Sequence, residues 1–299
     1  MIKNLSKILK NSRGGAEILI LVIIILGSVL LTGGFFPKII PPDPNAPRYT
    51  EISEIQPDSQ KTLQLKTIKF KGCTSIVAVD FLVDRSGSMR YGTKLDNLKN
   101  ALNVFAGSFP EDGIIGMQSY SEPSFGPTAD VPIDYFKNVK SQFLSAVSSL
   151  FPNGGTYSKD AFSFTKPLLD SARAKFPDHK FSLIFISDGV PETWEGTRRL
   201  CPDGPATADQ RYCGPKPDNP TQCRCFDTNQ DPTSVANEIK LSGVRIFTIG
   251  YIHDEDLKFQ DDLRTLMTNT ASSPTDFYEA PIDNQLTDIL SQISQKLCN

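Results

Sequence analysis

From Cys73 onward the sequence predicts an α/β domain, a doubly wound sheet covered by helices on both faces. Three observations carry this. Apolar runs of strand length alternate with segments of helical period. The runs are almost continuously apolar, the pattern of strands buried on both faces. Two of them stop at acidic turns containing glycine, Asp84-Arg85-Ser86-Gly87-Ser88-Met89 and Ser187-Asp188-Gly189, and in a parallel sheet such strand ends lie side by side along one edge.

The elements follow in order. Residues 76–83 are a buried strand. Leu95, Leu98, Ala101, Leu102, Phe105 and Phe109 then recur at helical spacing. Residues 113–120 and 130–136 read as two strands joined by a loop holding Pro123, Gly126 and Pro127. Phe143, Leu144, Val147 and Leu150 mark the next helix, and another runs from Thr156 to about Phe176. Residues 181–186 form a fourth strand and 244–252 a fifth. A helix near Leu257–Met267, a short strand at 275–278 and an amphipathic helix through Leu286, Ile289, Leu290, Ile293 and Leu297 close the chain. Asp80 does not fit, because it stands inside the first strand, where a buried carboxylate needs a partner or a raised pKa.

Asp84, Ser86 and Ser88 stand at alternate positions on the first turn. Asn153-Gly154-Gly155-Thr156 is a tight loop that turns the Thr156 hydroxyl inward, and Asp188 adds a second carboxylate at another strand end. Gathered at one point, these are hard oxygen donors, which select a hard cation: Mg²⁺ first, then Mn²⁺ or Ca²⁺. Two carboxylates and neutral hydroxyls leave positions for water, at least one of them facing solvent. Removing Asp188 is expected to abolish most divalent affinity while the fold survives, since ligand carboxylates repel one another when no cation is present.

The set Asp84, Ser86, Ser88, Thr156 and Asp188, with Gly189 after it, resembles the metal-ion-dependent adhesion site of the von Willebrand factor type A family. The resemblance covers residues 73–299. It implies a Rossmann-like, mostly parallel sheet with one antiparallel edge strand, and a partner protein that supplies an Asp or Glu to the metal. It also implies a disulfide between Cys73 and Cys298, since several extracellular type A domains join their ends in this way.

Ahead of the domain, residues 1–17 carry Lys3, Lys7, Lys10 and Arg13. Residues 18–36 are apolar over about nineteen positions, roughly 28 Å as a helix, close to a bilayer core of about 30 Å. This predicts a single-pass anchor in the cell membrane with a cytoplasmic N-terminus and an extracellular domain; a cleaved secretory signal is the rival. Residues 37–72 hold Pro37, Pro41, Pro42, Pro44 and Pro47, a stiff extended spacer. Gly14-Gly15-Ala16-Glu17 before the span faintly resembles the entry of type IV pilin-like and Tad-type pilus proteins.

The chain has six cysteines, which in an exported protein suggest disulfides. Cys201, Cys213, Cys223 and Cys225 fall in an insertion over 190–232 that is rich in Pro, Gly, Asp and Thr and lacks periodicity. Two local disulfides would staple so long a loop, with three connectivities open; a tetrathiolate zinc site is the alternative. Leaving directly from Asp188-Gly189, the insertion is expected to hang over the metal crevice. Asp227, Asn229, Asp231 and Glu238 have an EF-hand-like calcium spacing, but Pro232 stands where that loop needs glycine. The other reading is that Asp231 or Thr233 caps a helix.

At 299 residues, 39% hydrophobic and 22% charged, the chain is ordinary globular material. A net charge of −3 provides no footprint for nucleic acid. The chain has two histidines: His179 precedes the fourth strand at the wrong end of the sheet, and His253 lies among Asp254, Glu255 and Asp256. A metal-dependent hydrolase is therefore disfavoured, and no catalytic residue is assigned. The expectation is adhesion to a partner protein, with pilus or envelope assembly through the same site as the alternative.

Overall fold

The computed structural model describes residues 76–194, 208–215, 222–252, 257–280 and 285–297, all within the unit that runs from Gln64 to Asn299. In chain order the main elements are β1 (Val77–Asp84), α1 (Lys94–Ser108), β2 (Ile114–Tyr120), β3 (Thr128–Tyr135), α2 (Phe136–Ser149), α3 (Ser158–Lys175) and β4 (Lys180–Ser187). After them come β5 (Glu192–Trp194), β6 (Gln210–Pro215), β7 (Cys223–Asp227), α4 (Thr233–Leu241), β8 (Arg245–Gly250), α5 (Leu257–Thr270), β9 (Phe277–Glu279) and α6 (Gln285–Leu297).

Six strands form one sheet in the order β3-β2-β1-β4-β8-β9. All pairings are parallel except that of β2 with the edge strand β3. This is the mostly parallel sheet with one antiparallel edge strand that the resemblance implied. Each parallel crossover carries a helix, and the helices divide between the faces. Val79, Phe81 and Val83 of β1 pack with Leu98, Phe105, Phe143 and Leu290, from α1, α2 and α6. Ala78 and Leu82 face the other way, with Phe162, Ile239 and Leu263 from α3, α4 and α5. Every residue of β1 and β2 is buried, as expected of central strands covered on both sides.

The insertion departs from the expected aperiodic loop. Short strands β5, β7 and β6 form an antiparallel sheet in that order. They escape a periodicity reading because they are three to six residues long and rich in polar residues. Cys213 and Cys225 face each other across β6 and β7 and are bonded, with Cα atoms 4.0 Å apart. Cys223 is also disulfide-bonded. A tetrathiolate zinc site is thereby excluded, because these thiols are already oxidised. Of the expected pairings, that of Cys73 with Cys298 lies outside the described residues, as does Cys201.

The small sheet is docked rather than suspended. Phe226 joins the core on the α5 face, the Arg224 guanidinium lies 3.7 Å from the centroid of the Phe259 ring, and Arg211 pairs with Asp262 at 2.7 Å. Among the described residues no helix is long and apolar enough to cross a membrane; the expected span at 18–36 and the spacer at 37–72 lie outside them.

Candidate metal centre

Parallel pairing sets β1 beside β4, with Val83 opposite Ile186, so the next residue of each strand, Asp84 and Ser187, emerges at the same edge. Asp84 is fully buried. Its Oδ1 accepts the Ser86 N–H at 2.7 Å, and its Oδ2 accepts the Ser187 hydroxyl at 2.5 Å. Ser86 and Ser88 hydroxyls lie 3.0 Å apart, and Ser88 Oγ donates to Asp188 Oδ1 at 2.7 Å.

The third segment is stitched to the first through the backbone. Gly87 N–H donates to Gly154 O at 2.8 Å and Asn153 N–H to Arg85 O at 2.8 Å. Gly154 has φ of +73°, and a Cβ on Gly87 would approach Gly154 O to 3.3 Å, so glycine serves both positions. The loop thereby delivers Thr156, whose side chain is buried and whose Oγ1 stands 3.7 Å from where a Cβ on Gly189 would be. The five residues expected to bind metal thus gather at the ends of β1 and β4.

The set is two carboxylates and three hydroxyls, all hard oxygen, and fits Mg²⁺ or Mn²⁺. Among the described residues no group of three or more His, Cys, Asp or Glu could hold a metal ion; this centre depends on hydroxyls for the remaining contacts. Burial, and after it the Asp188 charge, pushes the Asp84 carboxyl well above its ordinary value. A divalent ion would reverse that preference by favouring the ionised form.

The expected calcium spacing does not assemble. Asp227 Oδ1 accepts the Asn229 N–H and Asp231 Oδ1 accepts the Thr233 N–H, each at 2.9 Å. Both carboxylates are turned to local backbone, Asp231 at the entrance of α4, while Glu238 lies within that helix. Pro232 in place of the turn glycine accounts for the difference.

Several contributors escaped the sequence reading. Lys94 Nζ lies 2.5 Å from Asp188 Oδ2, both side chains buried; a lysine in the first turn of a helix six residues past Ser88 was the only signal. Ser187, beside Asp188, bonds Asp84. Arg85 is 8% exposed; its Nε donates to Ser119 Oγ at 3.1 Å and its Nη2 to Phe125 O at 2.7 Å, and its guanidinium lies over the Phe151 ring. Asp80 finds its partner in Gln118, whose Nε2 donates to Asp80 Oδ1 at 3.0 Å. Both are polar residues within largely apolar strands, which is a signal for pairing once β1 and β2 are placed side by side.

Residues 79–190 match the family model of the von Willebrand factor type A domain. The fold is that of a von Willebrand factor type A domain. Among solved structures, this chain is similar to the pilus adhesin SpaC from Lactobacillus rhamnosus GG at 20% identity and a TM-score of 0.55, covering 76% of this chain and 31% of that one. It is similar to the vWF domain of the type V pili tip protein Mfa5 from Porphyromonas gingivalis at 14% identity and a TM-score of 0.53, covering 74% of this chain and 95% of that one. A third likeness is to proximal thread matrix protein 1 from the mussel byssus, solved with a zinc-occupied MIDAS motif, at 17% identity and a TM-score of 0.51, covering 75% of this chain and 48% of that one. At these identities the likeness establishes the fold alone, and the chain spans about a third of SpaC. No curated protein matches it.

Proposed function

We propose that the protein is a surface-exposed adhesion module whose type A domain captures a carboxylate of a partner protein through a divalent ion. Asp84, Ser86, Ser88, Thr156 and Asp188 would hold the ion, Mg²⁺ or with it Mn²⁺ or Ca²⁺. When bound, the ion supplies a Lewis-acidic position that a partner's Asp or Glu can fill in place of water. The observation that carries this is the 2.7 Å contact between Ser88 Oγ and Asp188 Oδ1, which joins residues a hundred positions apart at the edge where Asp84 and Thr156 also stand.

The chain's residues divide the work. The two carboxylates supply charge, the three hydroxyls complete the protein's share of the shell, and the Arg85 side chain holds the neighbouring loops in place. Residues 18–36 would anchor the chain in the cell membrane with the N-terminus cytoplasmic, and the spacer at 37–72 would hold the domain away from the lipid. Among the described residues no group suggests catalysis: His179 stands ahead of β4, at the opposite edge from the expected ligands, and His253 lies outside the described residues.

Calorimetric titration of Mg²⁺ and Mn²⁺ into the protein, with Asp188→Ala beside it, is the direct test. Saturable binding that the substitution abolishes is the expected result, and equal binding by both proteins would refute the site. A second reading, assembly of a pilus or envelope structure through the same centre, is favoured by the pilus adhesin and pilus tip protein among the structural neighbours and by the pilin-like entry at Gly14–Glu17. Immunogold localisation separates the two: label at pilus tips supports assembly, and label over the plain envelope supports adhesion.

A further inference from the structure

Lys94 is the charged group at this centre that the adhesion motif leaves unexplained. Its ammonium lies 2.5 Å from Asp188 Oδ2, with side-chain exposures of 7% for the lysine and 0% for the aspartate. Burying a lysine this fully is costly unless it serves a partner. The other oxygen of that carboxylate is taken by Ser88, and the backbone carbonyl of Lys94 accepts the Tyr251 hydroxyl at 3.4 Å, so the residue is held at both ends.

The consequence is a matter of charge. Asp84 and Asp188, both ionised, would neutralise a divalent cation between them, and the hydroxyls of Ser86, Ser88 and Thr156 add none. Counting these two carboxylates and Lys94, the loaded centre keeps one positive charge in excess; Arg85 and Glu122, whose Oε2 accepts the Gly155 N–H at 3.3 Å, flank it with opposite charges. In a buried site that excess acts with little screening. It opposes the incoming metal and competes for Asp188, and once the metal is in place it favours an anionic ligand over a neutral one at the open position.

We propose that Lys94 is a specificity-determining residue: a tethered cation that weakens divalent binding and, in return, makes the loaded centre select a carboxylate. This rests on the metal-binding reading above, and it concerns a residue outside the five expected ligands.

The test uses the full chain in detergent micelles. Mg²⁺ affinity is measured by calorimetry, and the protein is then loaded with Mn²⁺ and titrated with acetate while the relaxation rate of water protons reports loss of the metal-bound water. Lys94→Met is expected to bind Mg²⁺ at least tenfold more tightly and to need about tenfold more acetate to displace that water. Lys94→Arg keeps the charge and should stay within about threefold of the unmodified protein in both. Unchanged or weaker Mg²⁺ binding by Lys94→Met, or unchanged acetate displacement, overturns the proposal.

Should Lys94→Met fail to fold, Lys94→Gln takes its place, since it keeps a donor for Asp188 and drops the charge. The same tighter Mg²⁺ binding and weaker acetate displacement are expected of it, and no change in either overturns the proposal. An unmodified protein that binds neither Mg²⁺ nor Mn²⁺ removes the metal-binding reading and this inference together, whereas metal binding and acetate displacement that Lys94→Met leaves unchanged remove the inference alone.

Discussion

Asp188 is held between two donors from the start of the domain: Ser88 Oγ at 2.7 Å on Oδ1 and Lys94 Nζ at 2.5 Å on Oδ2. The chain separations are 100 and 94 residues. Such a meeting requires β1 and β4 to be parallel neighbours, as they are. It also makes Ser88 and Asp188, two of the expected ligands, part of the fold's own hydrogen bonding, so their removal has a structural cost.

The first expected outcome concerns Asp188→Ala. The sequence alone leads us to expect the fold to survive this change, because two carboxylates repel one another when no cation is present. Lys94 reverses the balance, since removing Asp188 strands a buried ammonium. Breaking a buried pair in this way costs about 3 to 5 kcal/mol. Urea unfolding in EDTA should therefore show Asp188→Ala clearly less stable than the unmodified protein, and Asp188→Ala/Lys94→Met should recover part of the loss.

A second outcome concerns Asp80. Burial pushes its carboxyl up to about 8, against an ordinary value of 3.8, with Gln118 only partly offsetting the effect. Asp80 Oδ2 and Gln118 Oε1 are both buried without a partner, and a protonated Oδ2 would supply a donor for Oε1. Because the folded state holds this proton more tightly than the unfolded chain does, the favourable term is fully present below about pH 4 and is lost as pH rises towards 8. Asp80→Asn keeps the shape and removes the titration. Its stability relative to the unmodified protein should improve with pH across that window, by at most about 1.4 kcal/mol per pH unit, as chemical denaturation at pH 5 and pH 8 would show.

Much of the fold was legible because buried parallel strands and amphipathic helices leave separate marks in the sequence. The run 76–83 and the stripe from Leu95 to Phe109 match β1 and α1 to within one or two residues. That Asp84, Ser86, Ser88, Thr156 and Asp188 lie close together was legible because two of the acidic, hydroxyl-bearing turns end strands that the sheet sets side by side. Lys94 was not, since a lysine in a first helical turn reads as a solvated end, and only the pairing of β1 with β4 places Asp188 against it. The strands of the insertion were hidden for another reason: β5, β6 and β7 are stabilised by a disulfide and by docking on α5, neither of which has a period.

The third outcome follows from that stapling. Cys213 and Cys225 close a loop of twelve residues, for which the chain-entropy model suggests roughly 3 kcal/mol. Replacing both with serine should release this locally. Limited proteolysis is expected to cut within 208–227 several times faster, while the circular dichroism of the core and the Mg²⁺ affinity stay near those of the unmodified protein. A parallel loss of core structure would mean that the insertion is integral to the domain.

The fourth concerns Arg85, whose side chain is an internal tie between the metal turn and its flanks. It bonds Ser119 and the Phe125 carbonyl, and its guanidinium lies 5.8 Å from the centroid of the Phe151 ring. Phe125 and Phe151 are themselves 39% and 56% exposed, large apolar rings on the loops beside the centre. Arg85→Ala removes two hydrogen bonds, which together contribute about 1 to 3 kcal/mol. Arg85→Lys should restore little of this, because an ammonium lacks the planar fork that reaches two acceptors and stacks on a ring. The main-chain bonds from Arg85 to Tyr120 and Asn153 survive either change, so the metal residues keep their places. Calorimetry should accordingly show Mg²⁺ affinity reduced by no more than a few fold in both variants, while urea unfolding shows both less stable than the unmodified protein. A loss of Mg²⁺ affinity of tenfold or more would instead make Arg85 a support of the turn that carries Ser86 and Ser88.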